Sequence, residues 1–128
     1  MEITDLVQAC KKVAVIGTRG YSDTEHFSAW VKYYTQNLEK ICFVSGGCRS
    51  GADSLIELYA TANENNMLVF YPQYDVYGKS APLERNKQIV EGSDILIAFW
   101  DGVSSGTGHT IKLAQEKGIP IRIVDVKI

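Results

Sequence analysis

No apolar run in this sequence approaches the ~20 residues that a membrane-spanning helix needs, so no membrane role is expected. No excess of charge of one sign stands out either. Thirteen Lys and Arg face fifteen Asp and Glu, for a net charge of -2 and a pI near 5.6. That balance weighs against a broad electrostatic grip on nucleic acid or on an anionic membrane. It still accommodates a local basic pocket, should Arg19, Arg49 and Arg85 converge. Cysteine is scarce, and the three present are an odd count with no CxxC pair, so neither a disulfide framework nor a zinc site is implied. Cys10 falls on an apolar helical stripe and Cys42 in a strand pattern; Cys48, in a Gly-rich loop, is flagged as the candidate reactive thiol. No His, Cys or carboxylate pair has metal-ligand spacing, so no metal is expected. Glu2 and Asp5 stand where a signal peptide carries positive charge, which makes a cytoplasmic protein the expectation. No linker, repeat or low-complexity stretch appears, so residues 1–128 are read as one domain.

Two nucleotide signatures are missing as well. A P-loop needs Gly-Lys-Ser/Thr, and no Lys follows Gly106 or Gly51. A dinucleotide fingerprint needs G-x-G-x-x-G, whereas the first candidate turn reads Gly17-Thr18-Arg19-Gly20-Tyr21-Ser22. No acidic residue closes the second strand to hold a ribose. Ordinary NAD and ATP enzymes are therefore excluded, and no cofactor is expected.

What is present is a regular alternation of strand and helix. Ile3, Leu6, Val7 and Cys10 have the spacing of a short amphipathic helix. Strands are expected from Lys12 to Gly17, Ile41 to Ser45, Met67 to Tyr71, Ile95 to Phe99 and Pro120 to Val126. The helix after the first strand opens on a capping box of Ser22 with Glu25 and carries Phe27, Trp30, Val31, Tyr34 and Leu38 on one face. The next carries Ala52, Leu55, Ile56, Tyr59 and Ala62. Pro72 to Ser80 reads as an aromatic loop. Ala81 to Glu91 is a helix with Pro82 in its first turn and Gly92 as its stop; Thr110 to Lys117 is the last. This order implies right-handed crossovers. The fold class is α/β: a Rossmann-like, doubly wound parallel sheet of five strands in the order 3-2-1-4-5, with helices on both faces.

Ligands in such sheets bind beyond the strand carboxyl ends, at the point where the strand order reverses. That point lies between the first and fourth strands. It brings Gly17-Thr18-Arg19 beside Trp100-Asp101 and Ser105-Gly106-Thr107, with Gly46-Gly47 adjacent. Glycine lets backbone approach a ligand closely, and the start of a helix offers unpaired N–H groups to an anion. Asp101 either holds a ribose hydroxyl or forms a turn before Gly102. Asp53 is a helix cap or a ligand contact. His109 reads as a solvated residue of a helix start, Glu84 as a partner of Arg85 or a solvated charge, and His26 as exposed. Tyr71, Tyr74, Tyr77 and Trp100 are the residues that could stack a base.

Three stretches, in order, carry a resemblance: GTRG, SGGCRSGAD and LERN…SDILIAFWDGVSSGT. They resemble the SLOG superfamily, which takes in YspA-type proteins, LOG-type cytokinin-activating enzymes and the Rossmann core of DprA. The resemblance covers about Val13 to Val124. It implies a nucleotide or a nucleotide-derived ligand. Gly17, Thr18 and Arg19 match the first ligand loop; Gly46, Gly47, Ser50, Gly51 and Asp53 match the second. Arg85 and Asn86 match a pair whose arginine meets the ligand, and Ser105, Gly106 and Thr107 match the phosphate-binding loop. LOG-type hydrolases carry a glutamate three residues after that threonine, where this chain has Thr110. A threonine cannot serve as a carboxylate base at neutral pH. No catalytic residue is therefore assigned.

The expected function is to bind a nucleotide-derived small molecule, such as a nucleoside phosphate, an ADP-ribose-like compound or a cyclic nucleotide signal, as a sensor or sequestering protein. One alternative is a nucleoside-monophosphate N-glycosidase using Asp101 or Asp53. Another is DprA-like binding of single-stranded nucleic acid, against which the acidic pI weighs. A homo-oligomer is expected, because a small chain gains pocket walls that way.

Overall fold

Val13-Ala14-Val15-Ile16 and Leu96-Ile97-Ala98-Phe99 are apolar at every position, so both faces of each strand must be covered. In the computed structural model, which describes residues 10–127, all eight are buried. They belong to β1 (Lys11–Gly17) and β4 (Ile95–Trp100), the paired centre of a five-stranded sheet. β2 (Ile41–Ser45) and β3 (Asn66–Val69) extend it on one side and β5 (Ile121–Asp125) on the other. All pairs are parallel, in the order β3-β2-β1-β4-β5.

The period-two alternation of strands splits the core in two. Val13, Val15, Phe43, Ile97 and Phe99 face α1 (Thr24–Thr35) and α2 (Gly51–Ala62), meeting Phe27, Val31, Ala52, Ile56 and Ala60. Ala14, Ile16, Val44, Leu96 and Ala98 face the opposite way. There they meet Ile89 and Val90 of α4 (Ala81–Glu91) and Ile111 and Ala114 of α5 (Ser105–Lys117). Phe27, Phe43 and Phe99 are fully buried, each stabilising the fold by roughly 1.5–3 kcal/mol.

Local chemistry sets the ends. α1 is capped by Asp23, whose Oδ1 accepts from the His26 amide at 3.1 Å. The Ser22–Glu25 capping box is thus displaced by one residue, because a carboxylate both accepts and suits the positive end of the helix. β3 stops at Val69 rather than Tyr71, short of Pro72, which has no amide to donate. The expected loop from Pro72 to Ser80 holds one helical turn, α3 (Tyr74–Tyr77), and a 3-10 turn, Gly78–Ser80. Neither buries a side chain, so no apolar period announced them. α5 begins at Ser105, five residues before Thr110, because Gly106 and Gly108 hide a helix from propensity reasoning. Gly108 packs closely there: a Cβ would stand 3.1 Å from the Trp100 ring. Gly118 closes α5 in the left-handed region, donating its amide to Ala114 O at 2.9 Å. Lys117 reaches from α5 to the end of α4, its Nζ donating to Val90 O and Glu91 O at 2.9 Å each and to Ser93 O at 3.5 Å. The helix expected over residues 3–10 lies almost wholly outside the described residues. Among the described residues, no helix is long and apolar enough to cross a membrane.

Candidate nucleic-acid interface

Three glycines allow the loops beyond β1, β2 and β4 to touch. A Cβ on Gly17 would stand 2.7 Å from Phe99 O and 2.9 Å from the Ala52 methyl. Gly51 has φ +70°, and a Cβ there would stand 2.7 Å from Thr18 O. Gly46 lies under the Arg85 guanidinium. Thr18 then ties the first loop to the fourth. Its amide donates to Phe99 O at 2.9 Å, its hydroxyl oxygen accepts from the Asp101 amide at 3.2 Å, and the Ser104 hydroxyl lies 3.2 Å from it.

The result is an open crevice of about 760 Å³ at the carboxyl edge of the sheet. Gly17, Thr18 and Arg19 line it from the first loop, and Gly46, Ser50 and Asp53 from the second. Arg85 and Asn86 enter from α4, and Ser105, Gly106 and Thr107 from the start of α5. Arg19, Arg85 and Thr107 therefore share one site. Gly47, Gly51 and Asp101 do not line it: Gly47 packs under the Tyr71 ring, and Gly51 supports Thr18. Arg49 is exposed outside the crevice.

The crevice offers hydrogen-bond donors from the start of α5. The first backbone bond of α5 runs from Gly108 N to Ser104 O at 3.1 Å, so the amides of Ser105, Gly106 and Thr107 have no acceptor within the helix. The Thr107 side chain is nearly buried and hydrogen-bonds to no described residue. Thr110, by contrast, donates its hydroxyl to Gly106 O at 3.0 Å. Arg85 is half-buried; its Nη1 donates to Gly46 O at 2.6 Å and its Nε to Asn86 Oδ1 at 3.0 Å.

The two carboxylates differ. Burial pushes the Asp53 pKa up, opposed by the Cys48 amide, which donates to Asp53 Oδ2 at 2.9 Å, and by Arg85. The Asp101 pKa is held down, first by the Ser104 amide at 2.8 Å and then by that of Val103 at 2.9 Å. Ser104 Oγ also donates to Asp101 Oδ2, at 3.0 Å. Asp101 thus organises the turn into α5.

Other residues take roles that their sequence positions did not suggest. Glu84 pairs with Lys87 at 3.2 Å rather than with Arg85. Trp100 is fixed by its Nε1 donating to Ser104 O at 3.0 Å, so it is no loose stacking platform. His109 lines the crevice, with Nδ1 3.2 Å from Asn86 Nδ2. The sequence does hold that signal once α5 starts at Ser105, because His109 then lies one turn above Ser105 and Gly106.

No protein-family model matches the sequence. The Gene 61 protein of Mycobacterium phage D29 is 30% identical over 118 residues, covering 87% of this chain and 94% of that protein. The chain belongs to the family of that phage protein. Among solved structures, this member of the family is similar to DNA processing protein A of Helicobacter pylori, with TM-score 0.73 and 22% identity over 98% of this chain and 70% of that one. It is also similar to DNA processing protein A (DprA) of Streptococcus pneumoniae, with TM-score 0.75 and 22% identity, covering 97% of this chain and 53% of that one. The five-stranded Rossmann-like fold is therefore shared with DprA. The Helicobacter protein is described by its single-stranded DNA binding mode. This likeness overturns two expectations: a nucleotide-derived small molecule as the principal ligand, and nucleic acid as a disfavoured partner. The physical reason is that an overall pI averages the whole surface, whereas Arg19 and Arg85 meet in one crevice.

Proposed function

We propose that this chain is a SLOG-type domain that binds single-stranded nucleic acid along the carboxyl edge of its sheet, with backbone phosphate in the crevice. The observation that carries this reading is the convergence of Arg19, Arg85 and the unpaired amides opening α5 on one open, donor-lined site, in a chain with the fold of DprA. Phosphate oxygens accept hydrogen bonds and carry charge, and a helix start together with arginines satisfies both needs. Tyr71, Tyr74 and Tyr77 are exposed, and Tyr71 packs on Gly47 beside the crevice residue Gly46; a base can stack on such a ring. Asp53 keeps the second loop folded by accepting from Cys48.

With a net charge of -2, the grip is local rather than global. Each phosphate neutralised on a single strand contributes about -0.7 to the slope of log affinity against log salt. Two arginines in the crevice thus give a slope of about -1.4. Fluorescence anisotropy with a labelled single strand, its duplex and a salt series tests this. The reading predicts preference for the single strand with that shallow slope, and Arg19→Ala lowering it by about 0.7. Absence of binding at low salt, or a preference for duplex, overturns it.

A further inference from the structure

Asn86 is buried within the crevice wall, and both ends of its amide are engaged. Its Oδ1 lies 3.0 Å from Arg85 Nε. That nitrogen can only donate, so the amide oxygen must face it. The amide nitrogen therefore faces His109 Nδ1, at 3.2 Å, and must donate to it. An Nδ1 that accepts is unprotonated, so the neutral ring carries its proton on Nε2. His109 lines the crevice, and its Nε2 hydrogen-bonds to no described residue.

We infer that Asn86 is a positioning residue that presents His109 to a bound strand as a neutral imidazole donating through Nε2–H to a phosphate oxygen. The inference rests on the nucleic-acid reading for its ligand and on Asn86 geometry for its tautomer. One buried amide thereby couples two donors from different helices, Arg85 of α4 and His109 of α5. The opposite tautomer would turn a lone pair towards the phosphate and repel it.

The test has two parts. Long-range nitrogen–proton NMR of the histidine rings at neutral pH reads the tautomer directly. The chain has two histidines, and a spectrum of His109→Ala assigns the signals. Wild type is expected to show Nε2 protonated and Nδ1 bare. Asn86→Asp, whose carboxylate accepts from both neighbours, is expected to reverse this. Anisotropy with a single-stranded oligonucleotide then compares wild type, Asn86→Ala, His109→Ala and the double variant. A lost hydrogen bond to a charged group predicts about a tenfold fall for His109→Ala. The double variant is expected to bind nearly as well as the weaker single variant, because one residue acts through the other. His109→Gln, which keeps an amide donor, is expected to recover part of the loss. A wild-type ring protonated at Nδ1, or full affinity in His109→Ala, overturns the inference. If wild type shows the expected tautomer and binds no oligonucleotide, the strand-binding reading falls, and with it the role given to Nε2–H; the amide-set tautomer survives.

Discussion

Replacing Gly46 with alanine measures how the Arg85 guanidinium is held. The new methyl carbon would stand 2.5 Å from Arg85 Nη1 and 2.9 Å from Cζ. Those atoms are the far end of a flexible side chain, so the guanidinium moves and the fold stays. The bond from Nη1 to Gly46 O is lost. A hydrogen bond to a charged group contributes about 1.5–3 kcal/mol. Arg85 is only half-buried, and water replaces part of that, leaving a net cost of ~1 kcal/mol. In a domain of this size, that lowers Tm by roughly 3–6 °C. Gly17→Ala is the contrasting case, because its methyl meets Phe99 O, a backbone atom between paired strands. Overpacking of that kind costs about 1–3 kcal/mol or more, a large share of a stability of roughly 5–15 kcal/mol. Thermal unfolding by circular dichroism ranks the two, and oligonucleotide anisotropy reads the displaced Arg85. Gly46→Ala should lose more affinity than stability, and Gly17→Ala the reverse. Equal Tm losses, or a Gly46→Ala protein unchanged in both assays, would refute the reasoning.

Tyr71→Ala should weaken single-strand binding by about 1–3 kcal/mol if one base stacks there; unchanged affinity removes Tyr71 from the interface. Asp53 has a raised pKa, so the folded protein holds that proton more tightly than the unfolded chain does. Its ionisation therefore costs stability as pH rises from the ordinary carboxylate range through the folded value. Asn keeps the acceptor for the Cys48 amide, so Asp53→Asn should gain on wild type over that window in denaturant titrations. Asp101 runs the other way, its pKa being lowered. Its contribution is present above the ordinary carboxylate pKa and is lost as pH falls through the folded value. The stability gap between wild type and Asp101→Ala should therefore narrow in acid, and a gap that does not change with pH would show that its charge plays no part.

The sheet order was legible because each strand is bounded by polar or Gly-rich turns and the two central ones are apolar throughout. The helix over Ala81–Glu91 was equally legible, with Pro82 and Gly92 marking its ends. Where local signals competed with tertiary ones, sequence reasoning erred. Gly106 and Gly108 argue against a helix by propensity, but Trp100 packs against Gly108 and α5 starts at Ser105. His109 was placed at that helix start but read as solvated, whereas it lines the crevice and meets Asn86. Asp101 illustrates a different blindness, since a carboxylate before glycine reads the same whether it holds a ligand or its own turn. Gly47 and Gly51 look like ligand-loop glycines in one dimension; in three they make room for Tyr71 and Thr18. The ligand class was the least legible of all, because net charge says nothing about which arginines meet.

Lys117 sits at the opposite end of α5 from the crevice, yet it fixes the frame on which the crevice depends. Its ammonium clasps the carboxyl terminus of α4, while Asn86 and His109 join the same two helices about one turn earlier along α4. Two anchors a turn apart tie one helix to the other at more than a single point. Arg85 and His109 thus sit on helices joined to each other, like the jaws of a vice bolted to one bed.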